Sequence, residues 1–265
     1  MYNIIKAQMY QIFRENATYY TFIGGIGFTL LGIIFGVSEE TIDLSKMTGS
    51  EYLSMGSVGM PLLVVILVFT VRICGGDMTD KTINYEMLTG THRSKVYGGR
   101  AVVSLIFMLV CTFLLTLLPV IVFTALNGWG YTMPMKEGIT RLALIFIPLI
   151  RLTSVFISLT FVTMNTGAVV AIGFIIIFAE GMADLLVEQF IDSASKYLLP
   201  FFSLSQIEKI DYYNLTFGYV DGKDVQVLQD GISAGTSAVI VLSGVIVTAA
   251  AILIGYSVFR KKDMN

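Results

Sequence analysis

A chain of 265 residues that is 55% hydrophobic and 14% charged, with a mean hydropathy of +0.78, lies far outside the range of soluble domains and reads as an integral membrane protein. Its formal net charge of -2 and isoelectric point near 5.4 supply no basic field for nucleic acid. Cys74 and Cys111 fall in or beside apolar runs with no metal-ligand spacing, so both read as small buried apolar residues.

Met1 to Ala17 lacks a charged start followed by a short apolar core and a cleavage site, so no secretory signal is expected. Residues 1–17 instead place Ile5, Met9, Ile12 and Phe13 on one helical face, which suits a helix lying in the membrane interface. A helix packed on protein has the same pattern.

A span needs about 20 mostly apolar residues, and six candidates follow. The first, 19–37, opens on the interface residues Tyr19 and Tyr20 and carries Gly32 and Gly36 in GxxxG spacing. An acidic loop with Glu39, Glu40, Asp43 and Glu51 leads to the second span, 53–73, which contains Pro61 and ends at Arg72. The polar stretch 74–100, with Lys81, Arg93, Lys95 and Arg100, falls on the cytosolic side by the positive-inside rule. Within it, Asp80 to Leu88 starts on an acid, has Ile83 and Met87 on one face and is stopped by Gly90, so a short amphipathic helix is expected.

The third span, 101–126, contains Pro119; Trp129 sits in the turn after it, at interface level. The fourth, 139–162, contains Pro148 and Arg151. A tight turn at Met164 to Gly167 folds it back on the fifth, 168–187, which carries Glu180 and Asp184. An acidic external segment, 188–235, follows. Its apolar part, Tyr197 to Leu204, is too short to span and is expected to dip into the membrane surface or cap the bundle. Asp221-Gly222 signals a small hairpin between Thr216 to Val220 and Asp224 to Val227. The sixth span, 237–259, ends on Arg260, Lys261 and Lys262, which places both termini in the cytosol. The fold class expected is therefore an all-α polytopic membrane protein, one transmembrane domain over residues 1–265.

The polar stretch carries Asp77, Thr82 and the Thr91-His92-Arg93-Ser94 run in an order that resembles the first intracellular loop of ABC-2 type permeases, the membrane subunits of one class of ABC exporter. That family commonly has Glu where this chain has Asp77, and a Pro before the Arg that is absent here. The order of elements resembles the family plan over essentially the whole length. What the resemblance implies is a bacterial cytoplasmic-membrane permease with a second permease chain, identical or related, and a separate cytosolic ATPase that holds the ATP and Mg. It further implies ATPase coupling through Asp77, Thr82, Ile83, Glu86, Met87 and Arg93, with the second and fifth spans lining a cavity. The substrate class implied is a peptide antibiotic or other amphipathic molecule, in export or self-protection. The chain has no nucleotide site of its own: its one Gly-Lys pair, Gly222-Lys223, is followed by Asp224 and preceded by Phe217 at the first P-loop glycine position. The competing class is an ATP-independent secondary transporter, against which the lack of an internal repeat counts, or a membrane scaffold.

Charges inside spans are costly, so they are paired or functional. Arg151 and Glu180 lie about 14 residues either side of the Asn165 turn and so reach similar depth on antiparallel helices. One reading is a buried ion pair that pins the register of the hairpin; the other puts Glu180 and Asp184 on the path of a cationic substrate. No catalytic, cofactor or metal-ligand set is expected, since His92 is the single histidine and no serine has a base in reach.

Overall fold

The structure, a computed structural model, describes residues 2–16, 19–27, 46–56, 59–79, 83, 87–88, 90–190, 199–211, 213–220 and 223–262. They form a mostly helical bundle. In chain order these are α1 (Tyr2–Arg14), α2 (19–27), α3 (Gly49–Ser54), α4 (Met60–Thr79), α5 (Arg93–Asn127), α6 (Met135–Thr163), α7 (Thr166–Phe190), α8 (Ser203–Asp211), the strands β1 (Leu215–Val220) and β2 (Lys223–Leu228), and α9 (Ala234–Lys261).

Helices α5, α6, α9 and the first 18 residues of α7 are long and apolar enough to cross a membrane, and α4 carries a shorter apolar run, Met60–Gly76. Of the six expected spans, four are therefore present at full length among the described residues and the second is shorter. Only 19–27 of the first is described; Gly32, Gly36 and the acids at 39, 40 and 43 lie outside the described residues.

The second span begins later than Leu53. Gly56 adopts φ 103°, a conformation that costs glycine nothing for want of a Cβ, and it separates α3 from α4. Pro61 then falls in the first turn of α4, where its missing N–H has no intrahelical partner to lose, so it starts the helix instead of kinking a span. At the other end α4 runs on to Thr79 and α5 starts at Arg93, so the stretch expected as a loop over 74–100 shrinks to 80–92. Arg100, counted there among the loop cations, is fully buried in α5 and donates through Nη1 to the Cys74 carbonyl at 3.2 Å.

Pro119 cannot donate to Leu115, and the chain answers with a π turn over Phe113–Leu117, where Leu118 N–H reaches back to the Phe113 carbonyl. The bend at Ile145 in α6 falls three residues before Pro148, next to the carbonyl of Leu144 that this proline leaves without its donor. The turn into α7 is made by Met164 at φ 56°, with Asn165 Oδ1 accepting from Ala168 N–H at 3.1 Å. The hairpin expected near Asp221 forms, with Leu215 opposite Leu228 and Val220 opposite Lys223.

α6 is the central helix: 61% of its most apolar window is buried, against 17% for α7 and α9. α9 lies along it by way of two glycines about three turns apart. A Cβ on Gly244 would strike Ile147 Cγ2, and one on Gly255 would lie 2.9 Å from the Ser158 Cα. Such close approach is how small residues let membrane helices pack by van der Waals contact. Gly255→Leu is therefore expected to separate α9 from α6 and cost about 1–3 kcal/mol, measured as a lower melting temperature of the purified protein in detergent; an unchanged melting temperature would remove this contact from the account.

The N-terminal helix packs on protein along its apolar face. Ile12 is buried, Ile5 and Met9 are partly buried against the core, and Phe13 lies 6.0 Å from Phe107 of α5. Tyr2 and Tyr10 remain exposed on its outer side.

Candidate functional site: two arginines, a carboxylate and an exposed leucine

Arg151 is 4% exposed, midway along α6, and Glu180 stands on α7 across the 164–165 turn. Their hydrogen bonds converge on the segment before α8. Arg151 Nη1 donates to the Pro200 carbonyl at 3.1 Å and Nη2 to the Phe201 carbonyl. Glu180 Oε2 accepts from the backbone N–H groups of Ser203 and Leu204, each at 2.9 Å. Those two residues open α8, where N–H groups lack intrahelical partners and the helix dipole favours an anion.

One turn of chain thus offers carbonyls to a cation and N–H groups to an anion. Gln206 ties the same turn to α9, donating to the Leu199 carbonyl at 2.9 Å and to Ser243 Oγ at 2.7 Å. Over the described part of the apolar stretch, 199–204, Leu199 is buried on the bundle and Phe201 faces outward at 71% exposed. Arg151 and Glu180 meet on this segment, and the four bonds named here run to its backbone. Asp184 lies one turn further along α7, and the structure describes its backbone only.

Ten residues earlier on α6, a second arginine grips the same segment from its far end. Arg141, 3% exposed, bonds Glu137 Oε1 through Nε at 2.9 Å and the Ile210 carbonyl through Nη1 at 2.5 Å. Its guanidinium lies 4.6 Å from the centre of the Tyr213 ring. Burial pushes the Tyr213 phenol up, so the ring stays neutral beside the cation. Glu137 Oε1 also accepts from Ile232 N–H at 2.8 Å, which fixes the entry to α9. This cluster was not anticipated; the i, i+4 spacing of Glu137 and Arg141 is the signal that marks it.

At the opposite end of the bundle, Ile83 is 2% exposed within an apolar cluster that contains Met78 of α4, Val96 and Tyr97 of α5, Phe161 of α6 and Phe259 of α9. Met87 packs against the same cluster. Leu88, helical like its neighbour, points outward and is 80% exposed. Asp77 belongs to α4, with only its backbone described; Thr82 and Glu86 lie outside the described residues.

Arg93 has a definite structural task. Its Nη1 donates to the carbonyls of Phe259, Arg260 and Lys262 at 3.2, 2.9 and 2.8 Å, capping the C-terminus of α9, where carbonyls lack intrahelical donors. Arg93→Gln is expected to fray the last turn of α9 and cost about 2 kcal/mol, read as faster proteolysis after Arg260; unchanged cleavage would deny the cap. A reversal of Arg93 therefore cannot by itself report on a partner surface.

Among the described residues no group of three or more His, Cys, Asp or Glu is placed to hold a metal ion. The chain belongs to the family described as Protein of unknown function (DUF2705), whose pattern matches residues 4–265. No curated protein matches the chain.

Proposed function

We propose that the chain is the membrane subunit of an ATP-driven ABC exporter of the ABC-2 type, working with a separate cytosolic ATPase and a second permease chain in a bacterial cytoplasmic membrane. One observation supports the reading above the others. Ile83 and Met87 are seated in a cluster fed by α4, α5, α6 and α9, while Leu88 beside them faces out. A partner that displaced this segment would move four helices together, because close-packed side chains transmit shifts instead of absorbing them.

The substrate proposed is a peptide antibiotic or similar amphipathic molecule. Glu180 is committed to the N-terminus of α8, so its part in this reading is to hold the outer segment in place, not to attract a cationic cargo.

The test is transport in vesicles by the chain with and without a P-loop ATPase from the same cell. The reading expects movement of an amphipathic peptide only with both subunits and ATP; movement by the chain alone, indifferent to nucleotide, would replace it with the ATP-independent class.

A further inference from the structure

Two cavities open along one face of α4. The first, about 280 Å³, lies between α2 and the start of α4 and is walled by Gly24, Met60, Val64 and Val65. The second, about 400 Å³, lies between α1, the end of α4 and the start of α7 and is walled by Gln8, Gln11, Glu15, Arg72 and Thr166. Val68 borders both, so they lie end to end along α4 as one grooved face. From Met60 to Gly76 the groove follows about 24 Å of helix, at 1.5 Å per residue. Their volumes are those of small-molecule sites, roughly 300–1,000 Å³.

The groove changes character along its length. Its α2 end is apolar; its α1 end holds a cation and an anion side by side. Arg72 meets Glu15 Oε2 through Nε at 2.8 Å and Nη2 at 2.6 Å, and its Nη1 has no partner among the described residues. Both side chains remain about four-tenths exposed, at 42% and 35%.

Two glycines keep the groove open. A Cβ on Gly24 or on Gly76 would have no atom within 4 Å, so neither glycine is needed for helix packing. The exposed faces of α7 and α9 present Ile175, Phe178, Leu242 and Ile246, as bulk lipid contact needs. This face is instead a groove, and polar at one end.

We propose that the groove binds one phospholipid-like amphiphile with a zwitterionic head. Its acyl chain would lie between α2 and α4, its phosphate against Arg72 Nη1 and its amine against the Glu15 carboxylate. Charge complementarity selects this occupant: the Arg72–Glu15 pair is the mirror of a head that carries a phosphate and an amine.

The test is native mass spectrometry of the full-length protein in detergent with phosphatidylethanolamine, phosphatidylglycerol or chain-free phosphoethanolamine added. One phosphatidylethanolamine per chain should be retained, about threefold more tightly than phosphatidylglycerol, and phosphoethanolamine should not bind measurably. Gly24→Leu and Gly76→Leu, which fill the groove from opposite ends, should each weaken retention about tenfold, and Arg72→Gln should abolish the preference between heads. Wild-type melting temperatures for the two glycine variants would show that the fold is intact. Retention unchanged by both would overturn the proposal, as would equal binding of the two lipids or a Gly24→Leu variant that splits a dimer while keeping its lipid. No ATPase enters the measurement, so a negative result leaves the export reading standing.

Discussion

Reversing both charges at once, Arg151→Glu with Glu180→Arg, is expected to restore nothing that either single reversal destroys. If the two residues were a simple ion pair, the double change would recover the attraction. In the observed geometry the carboxylate introduced at position 151 would face the carbonyls of Pro200 and Phe201. The guanidinium introduced at position 180 would face the N–H groups of Ser203 and Leu204, so all four of these hydrogen bonds would have the wrong polarity. Hydrogen bonds to a charged group contribute about 1.5–3 kcal/mol each, so Arg151→Leu should destabilise by about 3 kcal/mol or more. Glu180→Gln keeps an oxygen acceptor and should be milder than Glu180→Leu. Melting in detergent reads all of these; a double reversal that returns to wild-type stability would show that the residues bond one another.

The second large effect concerns the segment around Ile83. Ile83→Asp places an unpaired carboxylate in a buried apolar cluster, which costs several kcal/mol, and should abolish assembly of the bundle. Leu88→Asp changes a side chain that is 80% exposed and should leave stability within about 0.5 kcal/mol of wild type. Loss of ATP-driven transport in Leu88→Asp without loss of stability is the expected result. Equal, small effects of the two changes would mean that the segment is not seated as described.

Much of the fold was legible in the sequence because a membrane forces it to be. Apolar runs of span length gave α5, α6, α7 and α9, the Met164-Asn165 turn gave the hairpin of α6 and α7, and Asp221-Gly222 gave the two strands. Trp129, read from the sequence by its place in a turn after an apolar run, donates its indole N–H to the Met133 carbonyl at 2.7 Å and packs its ring over Gly138.

The ends of elements were harder. Apolarity cannot say that Gly56 breaks the chain before Met60, or that α4 and α5 continue into polar sequence as far as Thr79 and back to Arg93. The charges were hardest. Spacing gave the common depth of Arg151 and Glu180, yet it carries no information about which backbone groups a distant loop brings to them. Arg93 and Arg100 looked like loop cations by the positive-inside rule; one caps α9 and the other is buried against Cys74. Both are donors that satisfy carbonyls contributed by other helices, a partnership visible only after folding.

The most direct measurement of the central claim is capture of a P-loop ATPase by the intact chain. The chain, purified in detergent after co-expression with a P-loop ATPase from the same cell, should hold that subunit in equal stoichiometry, and Leu88→Asp should release it while the bundle melts as wild type. An ATPase that never copurifies, or that binds the Leu88→Asp chain as well as wild type, would contradict the account.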